Sequence, residues 1–301
     1  MSFYAGFDMG GTELKYGLVS DEGRIIHSGN IKTPTKINSL LETLKDIWEN
    51  LKKQSSKNVL SAGFGIPGIF SRSEEKILQS PNYPELDGFA LKPALAKFID
   101  VPFQLNNDAN MAAFGEYKAG AGKDAHSMVM LTIGTGVGSG IILEGNLWQG
   151  KCGFAGELGH ITVNTEGDPC NCGSRGCLET EVSSWKIIST YKEDSHHKDM
   201  ITAKEVFSRA KKGDPSATKA VSRAGYFLGI GLASVINLLN PEKIILGGGI
   251  MKSGDYFLPF VLDETEKRSY GASFRCCKIV NAVLGNSAGL IGAALWSQNQ
   301  I

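Results

Sequence analysis

The chain has 301 residues, 42% hydrophobic and 21% charged, which suits a soluble globular enzyme with room for two domains. Its 31 basic residues balance 31 acidic ones, so no global field would recruit nucleic acid or an anionic membrane surface. The 37 glycines exceed the roughly 21 that average usage would give, and predict unusual turns or close backbone approaches to a ligand.

The N-terminus reads MSFYAGFDMGG, without a basic region followed by an apolar run, so no secretory signal is expected. Nor is a membrane span expected, since no apolar run reaches roughly 18 residues. Six cysteines in such a chain point to reduced thiols or metal ligands, and the expected compartment is the cytoplasm.

Phe3 to Asp8 reads as a strand, followed by Gly10-Gly11-Thr12, a second strand over Leu14–Ser20 and a third over Arg24–Lys32. Apolar residues at Leu40, Leu41, Leu44, Ile47, Trp48 and Leu51 recur at helical spacing. A strand over Val59–Phe64 runs into a turn at Gly65-Ile66-Pro67-Gly68. Pro102–Leu105 is a short strand, then Asn106-Asn107-Asp108 form the first turn of a helix that continues to Ala119. Ser127–Ile133 is a strand that enters Gly134-Thr135-Gly136-Val137-Gly138-Ser139-Gly140, and Ile141–Glu144 resumes as strand. Strand, Gly/Thr turn and strand thus occur twice, at Phe7–Leu18 and Thr132–Leu143, which implies two similar halves. Beyond them, Ala203–Lys211 and Ser216–Leu239 read as helices, Lys243–Leu246 as a buried strand before Gly247-Gly248-Gly249, and Ala288–Trp296 as a small-residue helix.

The spacing Cys170-x-Cys172-x4-Cys177, with His160 ten residues upstream, supplies three thiolates and an imidazole. Such a set closes a tetrahedral zinc site with no open position, which makes the metal structural. Cys152, Cys276 and Cys277 lack that spacing and read as ordinary thiols. The two Gly/Thr turns can bring backbone N–H groups close to phosphate oxygens, or be plain hairpins. Neither is a Walker A loop, and no helix opens at the last glycine as a dinucleotide fingerprint requires. Gly247-Gly248-Gly249 allows either close approach to a flat ligand or a tight strand-to-helix turn. Taken alone, Asn107-Asp108 is a helix N-cap.

Five segments occur in one order: FDMGGT (Phe7–Thr12), NDAN (Asn107–Asn110), IGTGVG (Ile133–Gly138), GELGH (Gly156–His160) and CNCGSRGCLE (Cys170–Glu179). Together they resemble the ROK family of sugar kinases and related repressors, over residue 3 to the final helix. The resemblance implies an α/β, two-domain, actin-like (ribonuclease H-like) ATPase fold, each domain a mixed sheet with helices and the active site in the cleft between them. A small N-terminal domain would cover 1–118, joined by the terminal helix 287–301, and a large domain carrying the zinc loop would cover 119–286.

By the same resemblance the chain would be an ATP:sugar phosphotransferase acting on a hexose 6-hydroxyl, with Asp108 as general base. Asn107, Asp108, Glu157, His160 and Glu179 would bind the sugar, and Gly65, Pro67 and Gly68 would offer it backbone contacts. Gly10, Gly11, Thr12, Gly134, Thr135 and Gly136 would hold the ATP phosphates, with Asp8 near magnesium and Gly248 and Gly249 by the adenosine. Zn2+ would be structural, on His160, Cys170, Cys172 and Cys177, and Mg2+ would accompany ATP. The partners would be the sugar, ATP and a second copy of the chain, without nucleic acid or membrane. Glu13 departs from the GGTK that the family's kinases often carry, so no phosphate contact is expected from it and only a weak one from Lys15. The short interval from His160 to Cys170 resembles glucokinases more than N-acetylglucosamine or N-acetylmannosamine kinases. A ROK repressor would need a DNA-binding domain ahead of the first glycine turn, and that turn begins at residue 10. Polyphosphate in place of ATP stays open, because amides that bind phosphate do not identify what lies beyond it.

Overall fold

A computed structural model describes residues 2–55, 58–71, 76–80, 83–196 and 198–300; Ile301, the end of the expected terminal segment, lies outside them. Along the chain the strands and helices begin β1 Phe3–Met9, β2 Glu13–Ser20, β3 Ile25–Lys32, α1 Ile37–Gln54, β4 Val59–Ile66, β5 Ile69–Ser71 and β6 Lys76–Gln79. They continue α2 Leu91–Leu95, β7 Phe103–Asn107, α3 Asp108–Ala119, β8 Met128–Ile133, β9 Val137–Leu143, β10 Asn146–Leu147 and α4 Leu178–Val182. The remainder is α5 Ser184–Ser195, α6 Ala203–Lys211, α7 Pro215–Leu239, β11 Lys243–Gly247, α8 Gly254–Arg268, α9 Gly271–Cys276, β12 Lys278–Asn281 and α10 Ala288–Trp296.

Two compact units result, one of residues 1–124, 140–156 and 283–301, the other of 125–139 and 157–282. The chain forms two five-stranded mixed sheets, ordered β3-β2-β1-β4-β7 and β10-β9-β8-β11-β12. The two orders are the same. In the first sheet β1 runs antiparallel to β2 and parallel to β4; in the second β8 is parallel to β11, which is parallel to β12. The repeated strand–turn–strand of the sequence therefore heads two sheets of equal topology.

In the first unit α1 lays Leu40, Leu44, Ile47, Trp48 and Leu51 into the core, the stripe that the sequence spacing marks. Phe7 and Phe64 stack across β1 and β4 at 4.5 Å. The terminal helix α10 lies against both this sheet and α3 at backbone distance. A Cβ on Gly63 would overlap the Ala293 carbonyl, and one on Gly292 the Met111 carbonyl. Part of the glycine excess thus serves packing rather than a ligand.

In the second unit Thr202 and Glu205 form a capping box on α6. Asp214 caps α7 by accepting from Ala217 N–H, Pro215 occupies its first position, and Asn240 ends it in the left-handed region. This 25-residue helix is long and apolar enough to cross a bilayer by length and composition alone, although Lys219 and Arg223 interrupt its apolar run. It packs instead against α4, α5, α6 and α8, with Ala220, Val221, Ala224, Leu228, Leu232 and Ile236 buried along one side. Helices α5 and α8 do not show in the sequence reading. The latter opens on Gly254 and carries Pro259 in its interior, which obscures the helical signal.

Candidate functional site

Asp108 is the first residue of α3, at the point where β7 ends. Asn106 and Asn107 are strand rather than first turn, because Asn107 is the N-cap in extended conformation. Its Oδ1 accepts from Ala109 N–H at 2.9 Å and Asn110 N–H at 3.1 Å, and its Nδ2 donates to the Gly68 carbonyl at 3.1 Å. With the oxygen on the helix and one hydrogen on Gly68, one Nδ2 hydrogen remains to donate outward. Asp108 Oδ1 accepts from Ala109 N–H at 2.9 Å. Gly65 lies directly behind, since a Cβ there would sit 3.4 Å from the Asp108 Cα and from Met111. The Pro67 carbonyl accepts from Ser80 Oγ at 2.6 Å. Gly68 itself turns with φ of 116°, and Gln79 and Ser80 leave no space for a Cβ. Asn106 and Asn110 extend this polar layer inward, with Asn110 Nδ2 donating to Asn106 Oδ1 at 3.2 Å.

In the same unit the turn Gly10–Thr12 joins β1 to β2. Gly10 N–H donates to the Glu13 carbonyl at 2.8 Å, and Thr33 ties the turn down through its N–H to Thr12 O and its hydroxyl to Gly10 O. Gly11 and Thr12 are exposed at the tip. Asp8, two residues before Gly10, has 15% of its side chain exposed and faces Lys15 Nζ at 3.5 Å. Burial raises the Asp8 carboxyl above the usual carboxylate range, and Lys15 pulls it back. Gly289, in the first turn of α10, would meet the Asp8 carboxyl carbon at 2.6 Å if it carried a Cβ. Glu13 is drawn to Asn30 and to Lys15, so Lys15 lies between two carboxylates.

In the second unit the turn Gly134–Gly136 joins β8 to β9, which begins at Val137 rather than at Ile141. Glycines at 138 and 140 hide that strand from propensity, but ladder pairing needs only the backbone. Thr135 is exposed, and a Cβ on Gly134 would meet nothing within 4 Å. Gly249 is equally open, whereas Gly248 has φ of 90° and its Cβ would overlap the Ile133 backbone. The two glycines therefore have separate duties. Gly248→Ala is expected to lower stability by about 2–3 kcal/mol, from strain and contact. Gly249→Ala should shift thermal unfolding by no more than about 1–2 °C. Equal losses in a melting experiment would refute the division.

Cys170, Cys172, Cys177 and His160 bring one ligand atom each to within 4.8 Å of one another, the group among the described residues suited to a metal ion. Cys172 Sγ lies 3.6 Å from Cys177 Sγ, and Cys170 Sγ 3.6 Å from His160 Nδ1. A tetrahedron with Zn–S near 2.3 Å and Zn–N near 2.0 Å has edges of about 3.8 and 3.5 Å. The donors fit zinc and are too far apart for a disulfide, whose sulfurs approach to about 2.05 Å. Burial pushes the Cys177 thiol up to about 12, so a cation is needed to hold it as thiolate. With Nδ1 facing the thiols, His160 directs Nε2 toward Glu157 Oε2 at 4.0 Å. Glu157 is raised by desolvation, with His160 acting against it. Glu179, on α4 two residues after Cys177, accepts from Val137 N–H through Oε2 at 2.9 Å.

The structure thus gathers Asp8, Gly10–Thr12, Gly65–Gly68, Asn107 and Asp108 on one unit, and Gly134–Gly136, Glu157, His160, Glu179, the thiols and Gly248–Gly249 on the other. Sequence reasoning missed the supports: Gly289 under Asp8, and Glu181, which is buried, paired with Arg223 and bonded by Asn164 Nδ2 at 2.8 Å. Only the Glu181 position carries a trace of this in the sequence, as a second acid two residues after Glu179.

The family model described as ROK family matches residues 4–300. A glucokinase of Halalkalibacterium halodurans is 38% identical over 96% of this chain and 93% of its own length. A xylose repressor of Caldicellulosiruptor bescii is 31% identical over 95% of this chain and 76% of its own. Among solved structures, a ROK family glucokinase from Streptomyces griseus in complex with glucose and AMPPNP superposes with a TM-score of 0.85 at 30% identity, covering 99% of this chain and 100% of that one.

Proposed function

Because the chain belongs to the ROK family, we propose that it is an ATP-dependent sugar kinase that phosphorylates the 6-hydroxyl of glucose in the cytoplasm. The observation that carries this reading is the setting of Asp108. A carboxylate fixed at the start of α3, with Asn107 locked by three hydrogen bonds beside it and Gly65 behind it, suits a base that must meet one hydroxyl. Asn107 donates its remaining hydrogen to a sugar hydroxyl, and Asp108 accepts the proton of the attacking one. Glu157, His160 and Glu179 bind the sugar, and the backbone of Gly65, Pro67 and Gly68 offers it further contacts. The identity to a glucokinase along nearly the whole chain supports glucose.

Phosphoryl transfer needs positioning and charge neutralisation more than covalent chemistry. The amides of Gly10–Thr12 and Gly134–Gly136, with the exposed hydroxyls of Thr12 and Thr135, hold the phosphates. Asp8, a poorly hydrated oxygen donor, is suited to Mg2+, which neutralises phosphate charge when bound with ATP. Gly248 and Gly249 lie along the adenosine. His160, Cys170, Cys172 and Cys177 would hold Zn2+, which would supply structural support rather than transfer chemistry, and His160, with Nδ1 turned to the thiols, keeps Nε2 for a donor role. A homodimer is the expected assembly.

A coupled ADP assay over glucose, mannose, N-acetylglucosamine and N-acetylmannosamine, each with ATP and with polyphosphate, tests the reading. Glucose with ATP should give the highest kcat/KM. Turnover confined to an N-acetylated sugar would move the substrate, and absence of any turnover would overturn the kinase.

A further inference from the structure

Both ends of the glycine turn Gly134–Gly136 are held by one short stretch of chain, residues 177–184. At the outgoing end Val137 N–H donates to Glu179 Oε2 at 2.9 Å. A Cβ on Gly136 would press on that same oxygen, so the glycine lets the carboxylate come in beneath the turn. At the incoming end Ser184 N–H donates to the Gly134 carbonyl at 2.8 Å, while Gly134 N–H closes the turn on Gly136 O at 2.9 Å. The stretch that does this begins on a thiol of the metal cluster. Leu178 N–H donates to the carbonyl of Ile161, next to His160, and Thr180 bonds the Cys177 carbonyl through both N–H and hydroxyl. Ser183 N–H then returns to the Glu179 carbonyl at 3.1 Å.

We infer that the metal-bearing stretch is the support of the nucleotide turn, with Glu179 as a positioning residue, so that the metal state of the Cys3His cluster sets nucleotide affinity as well as sugar affinity. The inference rests on the kinase reading. A turn containing two glycines has a wide choice of backbone conformations, and its amides bind phosphate well only when they already converge. Holding them costs nothing at the moment of binding if a carboxylate and a helix start hold them beforehand. Without metal, the cluster's thiols and imidazole no longer share a centre, and the stretch that begins at Cys177 loses its anchor.

The test is calorimetric binding of Mg-ADP without sugar, with amide hydrogen exchange read on the peptide spanning 134–137. The samples are the intact protein, the protein after chelator treatment, and metal-loaded Glu179→Ala and Glu179→Gln. Chelation and Glu179→Ala should each weaken Mg-ADP about tenfold or more and speed exchange at Val137. Glu179→Gln keeps an oxygen that accepts from Val137, and should recover most of the nucleotide affinity. An unchanged Kd with unchanged exchange, in a stripped protein or an Ala variant whose circular dichroism is native, would overturn the inference. If the stripped protein unfolds, the Ala and Gln variants, with metal content measured, decide it by the same criteria. Intact protein that binds no Mg-ADP at all would instead overturn the kinase reading beneath it.

Discussion

Asp108→Asn is expected to lower kcat by about 10²–10⁴-fold, the range that a positioned general base contributes, while sugar affinity stays within a few-fold. The substitution is nearly isosteric and the N-cap is Asn107, not Asp108, so the helix keeps its cap. What is lost in stability is the favourable charge at the N-terminus of α3, about 0.3–1 kcal/mol, or a melting shift of roughly 1–4 °C. Activity in the coupled assay and affinity by calorimetry should therefore separate sharply. Retention of full turnover would remove Asp108 from the chemistry and leave it a helix-start residue.

Removing the metal is expected to act on stability and sugar binding together. Loss of a structural metal belongs to the few changes worth more than about 4 kcal/mol, which for a domain of this size lowers the melting temperature by about 10 °C. Backbone bonds such as Val163 N–H to the Gly176 carbonyl and Leu178 N–H to the Ile161 carbonyl, with the Lys186–Asp168 pair, tie the loop down as well, but they leave the buried Cys170 and Cys177 thiols without a charge partner once the ion is gone. Sugar affinity should fall as well, because an ion held at Nδ1 would fix the ring whose Nε2 faces Glu157 at 4.0 Å. Melting curves and glucose titrations before and after chelation, with zinc added back, measure both. Cys152→Ser and Cys276→Ser, both at exposed thiols outside the cluster, should change neither. An unaltered melting curve after verified removal of the ion would rule out a structural role.

The grouping of Cys170, Cys172, Cys177 and His160 was the most legible part of the chain, since three thiols within eight residues are a local pattern. The elements bounded by strong punctuation were legible for a similar reason. Asp214-Pro215 and Asn240-Pro241 bracket α7, and the stripe Leu40 to Leu51 marks α1. The reading failed at particular places: β9, with glycines at 138 and 140, starts four residues earlier than expected, α8, with Pro259 inside it, was not read, and neither was α5, which lacks such breakers. Local propensity is weak exactly where tertiary packing overrides it.

Sequence alone determined the order of motifs, the donors for a metal and the repetition of a strand–turn–strand unit, because each of these is a property of neighbouring residues. Tertiary structure decided what each side chain has left to offer. It spends the Asn107 oxygen on a helix, turns Gly248 into a packing requirement while leaving Gly249 open, sets Gly289 against Asp8 and draws Glu179 under a turn 42 residues away. Those assignments depend on which backbone groups lie within about 3 Å across long sequence separations, and no local pattern encodes that distance.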